Sequence, residues 1–590
     1  MKKLITAFSF YAILTSLLIG QACAGTYTPN HNFYKIDYGE NISKWWAKNN
    51  NNWDITDKYL SKTVSASGYA SLNSAVAANQ TSVILVSSTM PLTANLVVPA
   101  SCELVFYKGG KVTSNGYTLT INGGFSSSEY QIFYEFAVGG VVFGAIDQVA
   151  VSWWGFAVGS EATQQTLNST ALQSAINSNA PKVTILNGDF SYNTGITINR
   201  EIVFAGAGAS ENKTSQGSSG ASTTLLNYTG STIGILLQGS VSGVANIHLS
   251  DFNLVGTVNA DGGICCGDGT PGEYVTHSSL KNITVQKFTK INGYGIRLRG
   301  VLETYLENVQ TRINYDGIVT KVGDIATTIR MQNVYSGSNT RNGYRFEGRL
   351  DSSSLELIAE SNGNEGLYIY GKDVRYNEFY SYYSEDNNTL GTGKIVKING
   401  SNGADSPSFL NFFGGFLGEV IPVFNLDFAT NITWRDMFIP NYTNGFMVVT
   451  GNTNSCSYYS TRGEKYRTDV TGNHLYGVNF NSGGTMPSRF ISVGLATGVK
   501  AALPYTSGVL LITDISNNTS AIFSLNDTAN TTTLLSANSA TFSSTLGNTG
   551  TCNIAWDAAA TPIPAYVIEN KLVGLTVQIV ADTLLVGAAN

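Results

Sequence analysis

The chain has 590 residues, 62 of them glycine and 12 proline; 43% are hydrophobic, 13% are charged, and the formal net charge is −6. A length far above one compact core implies a solenoid or several domains. The acidic, charge-poor balance excludes the basic footprint of a nucleic-acid binder, and the hydrophobic content excludes a disordered chain.

Residues 1–24 read as a secretory signal peptide. Lys2 and Lys3 form a basic start, Leu4 to Gly20 an apolar stretch, and Ala22-Cys23-Ala24 a small-residue cleavage site. Cleavage before Gly25 is expected. No later stretch is long and apolar enough to span a bilayer, so no stable membrane insertion is expected after cleavage. Cleavage leaves Cys102, Cys265, Cys266, Cys456 and Cys552, with neither zinc nor C-x-x-C spacing. Adjacent Cys265 and Cys266 point to opposite faces of a strand, so buried, unbonded thiols are expected. The four histidines are scattered and suggest no metal site.

Residues 25–65 form a polar, aromatic N-terminal stem. Residues 66–150 hold a helix-like patch, SLNSAVAAN (71–79), and then short alternating strands, as in a short first β-helix or sheet segment. VSWWGF (151–156) marks the boundary to a main β-helix over 151–485. After it, NSTALQSAIN (168–177) has helical spacing, with Asn168 or Ser169 as the expected N-cap. A helix there would cover the open end of a solenoid, with Trp153 and Trp154 packed beneath it. Two long insertions, 210–223 and 256–279, are expected to be loops that wall a groove.

Residues 280–400 repeat one pattern. GYGIRLRG (293–300), YDGIVTKVG (315–323), RNGYRFEG (341–348), NEGLYIYG (364–371) and GKIVKING (393–400) place their glycines 22, 26, 23 and 27 residues apart. A second line runs beside them: LKNITV (280–285), LENVQT (306–311), MQNVYS (331–336) and LELIAE (355–360), with Asn282, Asn308, Asn333 and Leu357 in third position. Two registers with one period define a structural repeat. Apolar residues alternate with polar ones inside each unit, so each unit is strand. Asparagines at one point of successive rungs can stack their amides. The fold class is therefore all-β, a right-handed parallel β-helix.

The run from VVFGAI to VTILNGDF (141–190), with SWWGF and ALQSAIN inside it, resembles the opening of pectate-lyase-superfamily β-helices. It is especially similar to bacteriophage tailspike and tail-fibre polysaccharide depolymerases and to related secreted bacterial proteins. The resemblance covers about residues 66–450 and defines a fold rather than a reaction. It implies a homotrimer. The chain departs from known members: W-x-D-H and R-x-P-x-x-R of calcium pectate lyases are missing, as are N-T-D, G-H-G and R-I-K of polygalacturonases. Pectin-specific activity is therefore not expected.

Residues 486–590 lose charge and carry regular short strands, among them SGVLLITDI (507–515), TSAIFSLN (519–526) and TCNIAWDA (551–558). They read as a C-terminal β-sandwich or jelly roll. The resemblance implies a role for it in trimerisation or sugar binding.

Outward side chains of successive rungs stand about 4.8 Å apart and form columns that can follow a polymer. One column is Arg297, Val319, Arg345 and Tyr368, and its neighbour is Arg299, Lys321, Glu347 and Tyr370. Turns add Asp316, Arg341 and Glu365. Arg297, Arg299, Lys321 and Arg341 suit an acidic polysaccharide, and Tyr368 and Tyr370 offer stacking surfaces, with Tyr376, Tyr380, Tyr382 and Tyr383 further on. A glycosidase needs two carboxylates. Glu347 with Glu365 or Asp316 is the first choice, and Asp351, Glu356 and Glu360 are reserves. A lyase needs a base and a group that neutralises a uronate. Arg345, Arg299, Lys321 and Tyr368 are its candidates. No cofactor is expected, with Ca²⁺ implied only for a lyase. The alternatives are a non-catalytic glycan-binding adhesin and a virion tailspike that attaches to host surface polysaccharide.

Overall fold

The computed structural model describes residues 62–209, 223–241, 243–391, 395–400 and 405–418, two short strands before residue 62, and strand segments between 424 and 584. The signal peptide, most of the stem, most of the 210–223 insertion, Cys456 and Gly393 lie outside the described residues. Among the described residues no helix is long and apolar enough to cross a membrane.

Two compact units divide the chain, Met1–Ile146 and Asp147–Asn590. In the first, short strands recur about every 20 residues and pair in parallel. Thr63–Ser65, Val83–Val86, Glu103–Phe106 and Gly124–Ser126 make one small sheet, and two three-stranded sheets complete the turns. Phe106, Phe133, Phe136 and Phe143 are buried inside. The helix α1, Leu72–Ala78, starts at a capping box in which Ser71 and Ser74 satisfy each other's backbone N–H groups.

The second unit contains a right-handed parallel β-helix. It opens with a 3₁₀ turn, Val151–Trp154, whose two tryptophans are buried with rings 6.4 Å apart. The helix α2 follows, Ala162–Ile176. Its N-cap is Glu161, seven residues before Asn168, the earlier of the two expected caps. Asn168 and Ser169 are therefore buried in its interior. Asn168 donates to Ala157 O (2.9 Å) and Ser191 O (2.8 Å), which ties the helix to the first rung. The apolar spacing located the helix; the polar residues taken for a cap are its docking contacts.

A ten-stranded parallel sheet runs up one side, from Ile196–Ile198 to Met447–Thr450. A nineteen-stranded sheet makes up the rest of the wall. Its long strands bend at a residue in the left-handed region: Asn282 (φ 53°), Asn308 (φ 53°) and Asn333 (φ 51°). Asparagine tolerates that conformation. Each also passes its amide to the rung below: Asn308 Nδ2 donates to Asn282 Oδ1 at 3.1 Å, and Asn333 Nδ2 to Asn308 Oδ1 at 2.9 Å. The ladder ends there. Leu357, the fourth member expected, pairs instead with Val334 across a register shift, and rung 354–360 has no extra corner residue.

A second, buried ladder escaped the sequence reading. Asn314, Asn339, Asn362 and Asn387 sit 25, 23 and 25 residues apart. The Asn362 side chain accepts from the Asn339 backbone N–H (3.1 Å) and amide (2.9 Å), and donates to Ser336 O (3.0 Å) and Asn387 Oδ1 (2.6 Å). These amides satisfy one another where water cannot reach. The repeating glycines are equally tight. A Cβ on Gly317 would lie 1.9 Å from Ser336 Oγ and 2.3 Å from Gly343 O.

One corner is strained. Ile313 holds φ 55°, where a β-branched side chain costs on the order of 1–2 kcal/mol. Ile313→Asn is expected to stabilise the chain by about 1 kcal/mol, read as a raised urea midpoint; a lowered midpoint would refute the strain.

The 256–279 stretch is not a simple loop. Gly262–Cys266 is a strand of the ten-stranded sheet, paired with Ile233–Leu237 and Tyr294–Leu298. The paired glycines hid it. A Cβ on Gly262 would meet the Tyr294 ring at 2.3 Å, so a larger residue cannot stand there. Cys102, Cys265, Cys266 and Cys552 are buried free thiols.

Near the C-terminus, Phe490–Leu495, Val577–Leu584, Gly508–Asp514, Thr519–Asn526 and Thr531–Ala537 form an antiparallel sheet in that order. Lys500–Ala502, Ala565–Asn570, Cys552–Asp557 and Phe542–Ser543 form a second. Phe523 from one and Phe542 from the other are buried, with rings 6.4 Å apart. This is a β-sandwich core.

Candidate functional site on the ten-stranded sheet

Parallel pairing builds the expected columns. Cys265, Arg297, Val319, Arg345, Tyr368 and Lys397 stand in one register on the outer face. Lys397, in the fifth repeat, extends the column beyond the four residues read from sequence. In each rung two successive residues point inward. Gly317 fits against Ser336, and Ile318 is fully buried. Asp316 and Val319, on either side of them, both face outward. That local turn puts the residue before each glycine into the groove.

Asp316 is the centre of the cluster and fully buried. Arg341 donates to both of its oxygens, Nε at 2.8 Å and Nη2 closer still, and the Asn342 N–H adds a bond at 3.3 Å. Arg345 reaches Asp316 at 3.6 Å with one nitrogen and Glu347 at 2.6 Å with another. The two carboxylates therefore share the Arg345 guanidinium. Their exposure differs. Asp316 is closed off, whereas the Glu347 side chain keeps 15% of its surface open.

Burial pushes the Glu347 carboxyl above its usual range; Arg341 and Lys321 oppose this and Asp316 adds to it. Burial likewise raises the Asp316 carboxyl against the pull of Arg341. The Lys321 ammonium is pushed down, by burial first and then by Arg297. Lys321 donates to Asn292 O (3.0 Å), and its Nζ lies 5.1 Å from the Tyr294 ring centre.

The other predicted residues fall into place less simply. Arg297 is held by a bidentate pair with Asp324 (2.8 and 2.7 Å), and Arg299 approaches the same carboxylate at 4.0 Å. Arg341 lies 4.6 Å over Tyr315. These arginines are thus already paired and contribute shape and partial charge rather than free cations. Tyr368 has Arg345 (5.9 Å) and Lys397 (5.4 Å) against its ring. Tyr370, stacked on Tyr368 at 6.3 Å, is half-buried like it. Glu365 is buried, in the row of Asp316, and raises the Tyr368 hydroxyl by its charge after burial and Glu347.

The reserve carboxylates lie elsewhere. Asp351 pairs with Arg349 (2.7 Å), Glu360 accepts from Tyr335 (3.0 Å), and Glu356 lies on the nineteen-stranded sheet, as do Tyr376, Tyr380, Tyr382 and Tyr383. Asp324 was missed. It accepts from the Lys321 N–H at 2.6 Å in the turn V-G-D, and a turn aspartate carries no sequence signal of a second partner. Among the described residues no three His, Cys, Asp or Glu side chains gather as a metal site.

The chain matches no known family profile and no curated relative. Solved structures with a similar course of chain include the Dettilon tailspike protein, at 12% identity and TM-score 0.45, covering 74% of this chain and 94% of that one. The A-module of an Azotobacter vinelandii mannuronan C-5 epimerase gives 13% identity and TM-score 0.37, covering 56% of this chain and 94% of that one. A tailspike of Acinetobacter baumannii bacteriophage Fri1, a capsular polysaccharide depolymerase, gives 11% and 0.31, covering 74% and 85%. At such low identity and overlap these likenesses carry no functional information.

Proposed function

We propose that this right-handed parallel β-helix protein is a polysaccharide depolymerase that holds an acidic glycan along the outer face of its ten-stranded sheet. The observation that supports this most directly is the Asp316–Arg345–Glu347 arrangement. It sets one reachable carboxyl, raised above its usual range by burial, beside a column of cations and rings. In this reading Glu347 is the general acid that protonates the glycosidic oxygen. Asp316 is a positioning residue. It fixes Arg341 and Arg345 along the groove, where their remaining N–H groups are left for substrate oxygens.

A second reading is β-elimination. It is favoured by Lys321, whose ammonium is pushed below its usual range by burial and by Arg297. Arg345 would then neutralise the uronate. One assay separates the readings. Purified protein is incubated with alginate, hyaluronan, polygalacturonate and bacterial capsular polysaccharides. New reducing ends alone indicate hydrolysis, and new ends with ultraviolet absorbance of an unsaturated uronate indicate elimination. Binding without new ends on any substrate would refute the enzyme and leave an adhesin.

The reading also places the protein outside the cell, on the strength of residues 1–24, as a homotrimer. Met1 in the mature protein would refute secretion and favour a virion tail. Sedimentation as a monomer would refute the trimer.

A further inference from the structure

The nineteen-stranded sheet carries its own surface feature. Two outward columns run side by side. One contains Tyr305, Arg330, Ser354 and Glu378; beside it stand Glu307 with Gln332, and Tyr380 with Phe413 and Arg435, with Glu356 between these two groups where the register shifts. Between them lies an open depression of about 450 Å³, bordered by Tyr305, Arg330, Gln332, Ser354, Glu356 and Tyr380. That volume is in the range of ligand sites.

Two departures from the repeat create it. Ser354 is the small member of its column. Rung 354–360 also lacks the extra corner residue of the rungs below, and the register shifts on both sides of it.

The depression ends on a ring. Arg435 lies 5.8 Å over Phe413, and Phe413 stacks on Tyr380 at 5.4 Å and 19°. Tyr380, 40% exposed, is the last ring of that stack, and it borders the depression. Its hydroxyl is anchored on Glu378, which fixes the ring plane. A flat apolar face is thus presented where the solenoid has no side chain to cover it. Bordering the same depression, the Arg330 and Glu356 side chains make no hydrogen bond or ion pair among the described residues. Each offers two polar atoms in one plane, the geometry that engages neighbouring hydroxyls.

We infer that this depression is a second saccharide-binding site, separate from the Glu347 groove. One pyranose ring stacks on Tyr380, and its vicinal hydroxyls bond to Arg330 and Glu356. The polar lining argues for a sugar over a protein surface, since the cores of protein interfaces are depleted of charge. The site holds substrate and has no part in bond cleavage.

The test uses the full-length protein and saturation-transfer NMR with defined hexasaccharides: cellohexaose, maltohexaose, hexamannuronate and hexagalacturonate. Tyr380→Ala and Arg330→Ala are expected to weaken binding of at least one of them by about tenfold or more. Tyr380→Phe, which keeps the ring, should retain binding. Glu347→Gln, in the other groove, should leave this binding intact. Circular dichroism establishes that each variant is folded. Three results would overturn the inference: no hexasaccharide binds, binding of every hexasaccharide is unchanged in Tyr380→Ala and Arg330→Ala, or Glu347→Gln removes the binding that Tyr380→Ala weakens. Loss of self-association in Tyr380→Ala, without saccharide binding, would likewise overturn it and assign the surface to a second copy of the chain.

Discussion

Glu347→Gln is expected to lower kcat/KM on the cleaved polysaccharide by about 10²–10⁴ and to leave the fold intact, the loss typical of removing a general acid. Gln keeps the volume and still accepts from Arg345, but it has no proton to give. The pH dependence follows from the direction of the shift. Burial raises the Glu347 carboxyl, so its protonated, active form persists above the ordinary glutamate value of about 4.3. Wild-type activity should fall as pH rises through that raised value, and Gln should abolish this limb along with the activity. Stability has the same sign. A carboxyl raised in the folded state favours folding at low pH, and that benefit is lost as pH rises through the folded value. The unfolding midpoint of Glu347→Gln should therefore vary less across this window than that of the wild type. A wild-type profile flat from pH 4 to 8 would refute the role (a range of about four units around the carboxylate value).

Asp316→Ala is expected to be the most damaging single change in the groove. It removes the partner of Arg341 and one partner of Arg345 from a fully enclosed position. Removing one member of a buried pair costs about 3–5 kcal/mol. The arginine side chains are about one-fifth exposed, 20% and 21%, so water recovers part of this and about 3 kcal/mol is the expected loss in urea unfolding. Adding Arg341→Leu should restore part of the stability, because the uncompensated charge is then gone. Restored stability without restored activity is the expected pattern for a positioning role. If Asp316→Ala is as stable as the wild type, the carboxylate does not hold the cluster together.

The sequence was most legible where one residue does one thing. Repeating glycines and alternating Ile296, Ile318, Tyr344 and Leu367 can only pack inward, and their 22–27-residue steps gave the solenoid and its outward columns. Legibility dropped where a polar residue has two plausible tasks. Asn168 reads equally as a helix cap and as a buried docking group. Asp324 reads as a turn former, and only coordinates reveal that it also clamps Arg297. Asn314, Asn339, Asn362 and Asn387 lie in turns where asparagine is common, so their alignment passed as composition. In the site, the residue types and registers were readable, but their pairing was not. The arginines taken for open cations are tied to Asp316, Asp324 and Glu347, and burial separates the two carboxylates into different roles.

The inner asparagine column has a consequence for how such a chain changes length. The backbone N–H of Asn314, Asn339 and Asn362 each donates to the side-chain oxygen of the next asparagine in the column. A segment cut from one of these asparagines to the next is therefore an interchangeable part. Deleting residues 340–362 would bring Asn387 up to Asn339 with the amide chain unbroken, and would shorten the groove by one strand spacing, about 4.8 Å. Duplicating the segment would lengthen it by the same amount. Gain and loss of whole rungs can thus adjust the groove to the repeat length of a polymer, while substitutions on the outer columns set its chemistry.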